Sequence, residues 1–484
     1  MFSITLSNFR SFKDQTFDFD KFNVLIGENS SGKSSLFKFL LAIKQSLQAP
    51  SNREINFSFS GEYVDLGTYR DAIYYQQDEL PLGFKFTFGK PYFDHYCEFM
   101  MGENRTKKQV LDYVGLFLHE ELPDSDTQIS FELTKDLNIH RSIRTKIRNG
   151  VLGELIIEYV KEDHKASQSS IFEPKCNLKY LDFEDQVVYE LHNVRFTKDA
   201  FLTITDAGDV RTSCEKIYGF TEQSSEHSEE KRRELFWKSR RLFNRIAFLL
   251  VVQNYVRMTF DNLEYINPIN THPSRFHITR DQRKFSTIND LDDVLAFFSS
   301  PDENKLAILK DFIKILKKLG VVEDLEIIED KRLPVTELRV KVKDLYSNIS
   351  DVGYGVSLQL PIILKALLAD RMSGGMTKYI LIEQPEVHLH PKLHSALVDA
   401  LMSLSKNTVY FVETHSEHVV RKLQVLVKEK AYRLNPENVT VHYLTRKNRQ
   451  SNVSCHHILE TGMMIEALPS GFYDNSFLLT KQLL

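Results

Sequence analysis

A chain of 484 residues with 42% hydrophobic and 26% charged residues has the balance of a folded globular protein, long enough for two to four domains of roughly 100–200 residues. Its net charge of −4 excludes a global pull towards nucleic acid, so any such contact has to come from a local patch. No run approaches the ~20 apolar residues of a membrane span and the opening MFSITLSNFRSF lacks an apolar signal core, which predicts a cytoplasmic protein without a membrane partner.

In chain order, Ile4 and Leu6 alternate with polar neighbours, and Phe17 and Phe19 do so again. A small β-layer is predicted there. Phe22 to Ile26 then reads as a buried strand, Gly27 to Gly32 as a loop, and Lys33 and Ser34 as the opening of a helix. Gly27-Glu28-Asn29-Ser30-Ser31-Gly32-Lys33-Ser34 meets the pattern G-x-x-x-x-G-K-[ST] with a strand before it and a helix after it. Such a loop cradles phosphate. Glycines at positive φ turn successive N–H groups inward, the helix dipole adds positive potential, the lysine supplies a mobile charge, and the serine hydroxyl is placed to ligate Mg²⁺. Leu36, Phe37, Leu40, Leu41 and Leu47 give the following helix one apolar face, ending near Pro50.

From Asn56 to Phe88, aromatic and β-branched runs broken by Gly61, Gly67, Pro81 and Gly83 predict antiparallel strands. Gln76 and Gln77 stand here, where phosphate-loop ATPases of this general kind place a glutamine that senses γ-phosphate and metal; ordinary surface glutamines are an equal reading. Residues 90 to 260 hold no catalytic pattern, and His95, His119, His140 and His164 are too scattered to require a metal. The four cysteines, Cys97, Cys176, Cys214 and Cys455, form no C-x-x-C pair and read as reduced thiols.

Two basic runs interrupt this region. One holds Arg141, Arg144, Lys146 and Arg148; the other surrounds Trp237 with Lys231, Arg232, Arg233, Lys238, Arg240, Arg241 and Arg245 on a helical pattern from 228 to 256. The helix can track a DNA or RNA backbone, or be a solvated face paired with Glu229, Glu230 and Glu234. Pro268 and Pro273 punctuate a return to the core; two helices follow between Ile288 and Leu319 around Ser299-Ser300-Pro301, and then a hairpin over 321 to 343.

Ser350-Asp351-Val352-Gly353-Tyr354-Gly355 leads into an apolar helix, Leu360 to Ala369, and offers a second anion site at a helix start. One chain does not need two such sites for one γ-phosphate, so this loop is expected to close over nucleotide bound by a second copy. Tyr379 to Ile382 is a buried strand ending in Glu383-Gln384-Pro385-Glu386, and Glu383 occupies the position from which such ATPases hold Mg²⁺. It follows Lys33 by 350 positions (383 − 33), so a large insertion is expected between them. Thr408 to Val412 is a further buried strand, capped by Glu413-Thr414-His415-Ser416, with His415 placed as a switch beside the γ-phosphate.

The order of phosphate loop, insertion, glycine-serine signature, E-x-P-E strand, H-L-H-P and T-H-S strand end resembles ABC-type ATPases of the RecF, SMC and OLD group. It is closer still to bacterial stand-alone AAA-family ATPases of that group, including subunits of Septu- and PARIS-type anti-phage defence modules. Asn8-Phe9-Arg10-Ser11-Phe12 and the tail Leu468-Pro469-Ser470-Gly471-Phe472-Tyr473-Asp474 share the likeness. It implies an α/β fold: an ABC/SMC-like head with a mixed sheet and an antiparallel β-layer, interrupted by a large α-rich insertion. Residues 1–90 and 335–484 would form the two lobes of the head, and residues 91–334 the insertion, strands first and helices after. It also implies ATP and Mg²⁺ as cofactors, with Asn29, Ser31, Gly32, Lys33, Ser34 and Ser35 around the phosphates and Arg10 near the base or ribose. Ser34 and Glu383 would hold the metal, Ser350, Gly353 and Gly355 would act in trans, and His415 would be the switch. A zinc site at His388 and His390 is disfavoured, because that segment meets the partner subunit in the family.

One departure bears on mechanism. The position after the metal carboxylate, where the family carries a catalytic glutamate, holds Gln384, and an amide cannot take a proton from water at neutral pH. Slow hydrolysis with Glu386 as base is the reading made here, the other being an ATP-clamped dimer. No D-x-D follows His415, so an OLD-type nuclease is not expected in this chain. The expected function is a homodimeric or higher even-numbered ATPase, the sensor or scaffold of a defence complex that controls a separate nuclease or toxin; the alternative is a DNA-dependent ATPase of repair or chromosome maintenance.

Overall fold

The structure, a computed structural model, describes residues 2–48, 57–89, 127–134, 142–149, 153–160, 175–181, 187–195, 228–267, 273–278, 288, 290–298, 303–330, 332–333, 335–371, 376–466 and 468. The readings made above on His95, His119, His140, His164, Cys97, Cys214, Arg141, the proline positions 50, 268 and 301, and the tail 469–474 lie outside them. The chain divides into two compact units: Met1–Asp18, Ser35–Asp261 and Lys447–Asn452 form the first, and Phe19–Ser34, Asn262–Arg446 and Val453–Leu484 the second. The division cuts the predicted insertion at residue 261 and assigns its two parts to different units.

The first unit is built on an antiparallel sheet. Its strands are β1 (Phe2–Phe9), β2 (Phe12–Phe19), β4 (Leu82–Phe88), β5 (Thr127–Thr134), β6 (Ser142–Asn149), β7 (Gly153–Val160), β8 (Lys175–Leu181) and β9 (Val187–Arg195). They lie in the order β2-β1-β4-β5-β6-β7-β8-β9. Strict alternation of buried and part-exposed positions along β4 and β5 marks a sheet with one face on a core. Phe84, Phe86 and Phe131 fill that face with Phe39 from helix α1 (Lys33–Gln48) and Phe260 from a later helix. The first half of the predicted insertion thus continues the sheet, and its helical part follows.

Residues 57–81 do not form the antiparallel strands their aromatic pattern predicted. They hold a bridge between Ser60 and Asp65, a short helix α2 (Tyr69–Ala72) and a 3₁₀ turn (Tyr74–Gln76). The reason is polar rather than apolar. Gln45 Nε2 donates to Ser58 O at 2.9 Å, Val64 N–H donates to Gln45 Oε1 at 3.1 Å, and Ser58 N–H donates to Ser46 Oγ at 2.7 Å. Side chains of α1 therefore satisfy backbone groups that a strand partner would otherwise take. Thr68 and Asp71 form a capping box that starts α2. Helix α1 is accordingly buried nearly all round, Lys44, Gln45 and Ser46 included, rather than on one face.

Helix α3 (Glu229–Asp261) confirms the long helical pattern. Its N-terminal charges pair along the helix, Arg233 with Glu229 at 3.0 Å and Lys238 with Glu234 at 2.7 Å. This is the solvated, i to i+4 paired face foreseen as one of the two readings.

In the second unit, β3 (Phe22–Gly27), β10 (Leu263–Ile266), β15 (Lys378–Glu383), β16 (Thr408–Glu413), β17 (Val439–Lys447) and β18 (Gln450–His457) form a sheet in the order β10-β15-β16-β3-β17-β18. The first five run parallel. Their continuous apolar cores, such as Val24-Leu25-Ile26 and Ile380-Leu381-Ile382, fit strands covered on both faces. A separate sheet holds β11 (His277–Ile278), β12 (Asp324–Glu329), β13 (Val335–Val342) and β14 (Leu345–Asn348). β12 and β13 are the predicted hairpin, with Thr336, Leu338 and Val340 turned into the core.

The helices of this unit are α4 (Leu291–Phe298), α5 (Glu303–Leu319), α6 (Tyr354–Arg371), α7 (Pro391–Ser403) and α8 (Glu417–Lys428). Helix α6 is buried from Ser357 almost to its end, as its apolar sequence requires. Its Lys365 reaches Tyr265 O at 2.9 Å and Glu264 at 3.3 Å, fixing the edge strand β10. Helix α7 begins with Pro391 at its first position and His390 as cap, the ring Nδ1 accepting from Lys392 N–H at 3.3 Å. His388 stacks edge-on against Tyr354 with ring centroids 5.0 Å apart.

Candidate nucleotide site

The phosphate loop joins β3 to α1, as its sequence pattern requires. Gly27 has φ +140°, and a Cβ there would lie 2.1 Å from Leu444 O, because β17 pairs with β3 at that level. Only glycine fits. Gly32 also takes a positive φ of 104°, while Asn29 and Ser30 are exposed at the loop's tip. Arg446, which the sequence reading passed over, donates to Ser30 O at 3.1 Å and braces the loop from β17.

Lys33 is buried at 4% exposure, and its Nζ donates to Gly27 O at 3.0 Å and Glu28 O at 2.8 Å. Burial lowers its pKa from the ordinary lysine value, and the Glu413 carboxylate partly opposes that. Ser31 is fully buried with no partner for its Oγ among the described residues. A polar oxygen left bare inside a phosphate loop fits a ligand that the loop is built to take.

The carboxylates come from the two strands beside β3. Their register places Glu383 of β15 opposite Glu413 of β16, and Glu413 opposite Leu25 of β3. Ser34 Oγ donates to Glu413 Oε1 at 3.0 Å, whereas Glu383 Oε1 accepts from the Tyr265 hydroxyl at 3.1 Å. The expected Ser34 and Glu383 pair is thus joined by a third group, Glu413, which is buried at 3% exposure with no partner for its Oε2 among the described residues. Its pKa is pushed up to about 7, by burial first and by the charge of Glu383 second. Burial and the same Glu383 charge raise the Tyr265 hydroxyl pKa, so it stays a proton donor to that carboxylate.

Beyond Glu383 the chain turns sharply. Gln384 has φ +44° and gives its N–H to Glu413 O at 2.7 Å, tying the end of β15 to β16. Glu386 is buried; its Oε1 accepts from the His415 N–H at 2.8 Å and its Oε2 has no partner among the described residues. His415 is exposed by surface area, yet its ring loses enough solvation, with Lys33 nearby, to lower its pKa from the ordinary histidine value. Lys33, Ser34, Glu383, Glu386 and His415 therefore gather at one end of one parallel sheet.

The glycine signature is tied to the same turn. A Cβ on Gly355 would lie 2.4 Å from His388 O, and buried Gln359 donates to Pro385 O at 2.8 Å. Gly353 meets nothing within 4 Å and is exposed. Ser350 gives both its N–H and its hydroxyl to Asn348 Oδ1, at 3.0 and 2.7 Å. Arg10 belongs to the first unit, in the tight turn between β1 and β2, with its N–H on Ala72 O at 2.7 Å and its guanidinium near Asp71. Ser35 continues α1, and Gln76 and Gln77 are exposed in the first unit.

Three further residues escaped sequence reasoning: Tyr265, Gln359 and Glu413. For Glu413 the signal was present, a carboxylate at the end of an apolar strand, the argument already applied to Glu383. Tyr265 and Gln359 act through strand order and helix packing, which single letters do not reveal.

Comparison with solved structures gives loose likenesses. An Smc head bound to the C-terminal winged-helix domain of ScpA matches at 12% identity and TM-score 0.40, over 94% of this chain and 96% of the other. An Smc head with an extended coiled coil, bound to the C-terminal domain of ScpA derived from Pyrococcus furiosus, matches at 11% and 0.36 over the whole of both chains. The SMC head domain from Thermotoga maritima matches at 11% and 0.33, over 93% and 97%. Among curated proteins none matches. The family described as AAA ATPase domain matches residues 1–420, most of the chain, and agrees with the phosphate loop and the parallel sheet described above. The chain belongs to the AAA ATPase domain family.

Proposed function

We propose that this protein binds ATP at the Gly27–Ser34 loop and hydrolyses it slowly, in a site completed by the Gly353 loop of a second copy. The observation that carries this reading is the set of bare buried oxygens, Ser31 Oγ, Glu386 Oε2 and Glu413 Oε2, in the half of the molecule that holds the phosphate loop. Phosphate oxygens would replace Gly27 O and Glu28 O as partners of Lys33. A divalent cation would be held by Ser34 with a strand-end carboxylate, Glu383 being the residue of the sequence reading, and would neutralise charge on the phosphate oxygens.

Glu386 is the base of this account. Its Oε1 is held by the His415 N–H and its Oε2 is left over to accept a proton, which Gln384 cannot do. Water attacks the γ-phosphorus, its proton passes to Glu386, and the bond to the bridging oxygen breaks to leave ADP and phosphate. His415, whose pKa burial and the Lys33 charge lower from the ordinary histidine value, changes its contacts as the γ-phosphate leaves. Gly353 supports closure by a second copy, because it is exposed and has open space around it.

In the cell, the likeness to defence ATPases supports a sensor or scaffold role in a complex with a separate nuclease or toxin. Along α3, Arg233 and Lys238 pair with Glu229 and Glu234, which fits the solvated-face reading of that helix. No helix among the described residues is long and apolar enough to cross a membrane.

The test is steady-state phosphate release by the full-length chain. Lys33→Ala should abolish it and Glu386→Gln should lower kcat by about 10²-fold or more, the ordinary contribution of a general base. Gln384→Ala should retain most of the rate. Full turnover in Lys33→Ala would remove the site, and loss of turnover in Gln384→Ala but not in Glu386→Gln would reverse the assignment of the base.

A further inference from the structure

We infer that His394, in the first turn of α7, is a positioning residue for hydrolysis: its ring ties the His415 turn to the far end of the turn that presents Glu386. The inference rests on the ATP-site reading above and extends it to a side chain that reading does not use. The ring bridges two segments. Its Nε2 lies 3.2 Å from Leu389 O and its Nδ1 2.8 Å from Ser416 Oγ. A carbonyl oxygen can only accept, so Nε2 carries the proton, and Nδ1 of the neutral ring accepts from the Ser416 hydroxyl. Ser416 stands immediately before α8, where a serine ordinarily caps the helix, yet among the described residues its side chain makes no capping bond. Its hydroxyl is committed to His394 instead. Ser416 N–H bonds Thr414 Oγ1 at 2.9 Å, and Thr414 N–H bonds Leu25 O at 3.1 Å. The His415 turn is therefore fastened to β3 on one side and to His394 on the other.

The turn that carries Glu386 needs such ties. Gln384 and His388 both take left-handed backbone, at φ +44° and +62°, which a residue with a Cβ keeps only where its surroundings hold it. The holding contacts are spread along the turn. At its start Gln384 N–H bonds Glu413 O; in its middle Gln359 donates to Pro385 O and Glu386 accepts from the His415 N–H. Past His388, the ring of His394 holds Leu389 O. Leu389 N–H in turn bonds Glu386 O at 3.0 Å, so the grip on Leu389 reaches the base through one peptide unit and one hydrogen bond. A histidine that stitches α7 to α8 and does nothing more would affect folding alone. One that sets Glu386 against His415 affects the chemical step and leaves nucleotide binding intact.

The experiment measures phosphate release by the full-length protein and, separately, its affinity for a non-hydrolysable ATP analogue. His394→Leu removes both polar atoms; it should lower kcat by between about 10- and 100-fold, as a slightly misplaced catalytic group does, with analogue affinity unchanged. His394→Gln should restore most of the rate, because an amide offers an oxygen to accept from Ser416 and an N–H to donate to Leu389 O. Ser416→Ala breaks the other end of the bridge and should match His394→Leu, and the double variant should lose no more than either alone. Thermal unfolding checks the fold of each variant, and Ser416→Ala with His394→Gln decides the question if the leucine variant does not fold. Wild-type kcat in His394→Leu or Ser416→Ala, a glutamine variant as slow as the leucine one, additive losses, or a loss confined to analogue affinity overturns the assignment and leaves the ATP site standing. Absence of turnover in the wild-type protein removes the hydrolysis reading, and this assignment with it.

Discussion

At the scale of single residues the site is a problem of crowded negative charge. Glu413 is buried, lies next to Glu383 in strand register, and has a pKa pushed up to about 7 from the ordinary carboxyl range. In the metal-free protein the folded state therefore keeps this proton to higher pH than the unfolded chain does. Stability falls as pH rises from about 4.5 to about 7, and the penalty is complete above that, on the order of 3 kcal/mol. His415, whose lowered pKa acts in the opposite sense over part of this range, makes the comparison with a variant necessary. In chelator, wild type should lose melting temperature across this interval more steeply than Glu413→Gln. Parallel curves would mean that the carboxylate is not strained. The phosphate loop was legible letter by letter, since its glycines and Lys33 act through their own backbone and charge. Glu413 carried the same strand-end signal as Glu383, but that it lies beside the loop's own strand comes from strand order, which single letters do not reveal.

At the scale of elements, the glycine signature holds two glycines with different physical duties. Gly355 is pressed against His388 O, so Gly355→Ala should overpack the start of α6 and cost about 1–3 kcal/mol in chemical unfolding. Gly353→Ala has open space and an ordinary φ, and should stay within about 0.5 kcal/mol of wild type. Equal losses from the two would refute the packing argument. The sequence had placed both glycines in one anion-binding loop, because a glycine needed for close approach and one needed for access are the same letter. Strands with continuous apolar cores, β3, β15 and β16, were readable from their composition, as was the alternating hairpin β12–β13. Residues 57–81 misled for a physical reason: most of their aromatic side chains are buried as a strand's would be, while Gln45 and Ser46 of α1 take backbone groups of Ser58 and Val64.

At the scale of the whole molecule, a parallel sheet carrying the loop, the carboxylates, His415 and the signature falls within one unit, and a long antiparallel sheet within the other. The second part of the insertion opens with the return to the parallel sheet at Leu263, where β10 lays Tyr265 beside Glu383. The insertion therefore contributes to the site as well as interrupting it, which its sequence distance from Lys33 concealed. If two copies share each site, one chain lends the phosphate loop and the other the signature. Mixing two variants separates this from a site contained in one chain. Lys33→Ala lacks a working phosphate loop but keeps its signature. Gly353→Arg keeps the loop but presents a bulky cation where the other copy's nucleotide would sit, at a position where a Cβ meets nothing within 4 Å. Each alone should be inactive, and the mixture should recover ATPase activity because mixed dimers hold one intact site. Activity of the mixture no greater than the sum of the two separate proteins would contradict the shared site.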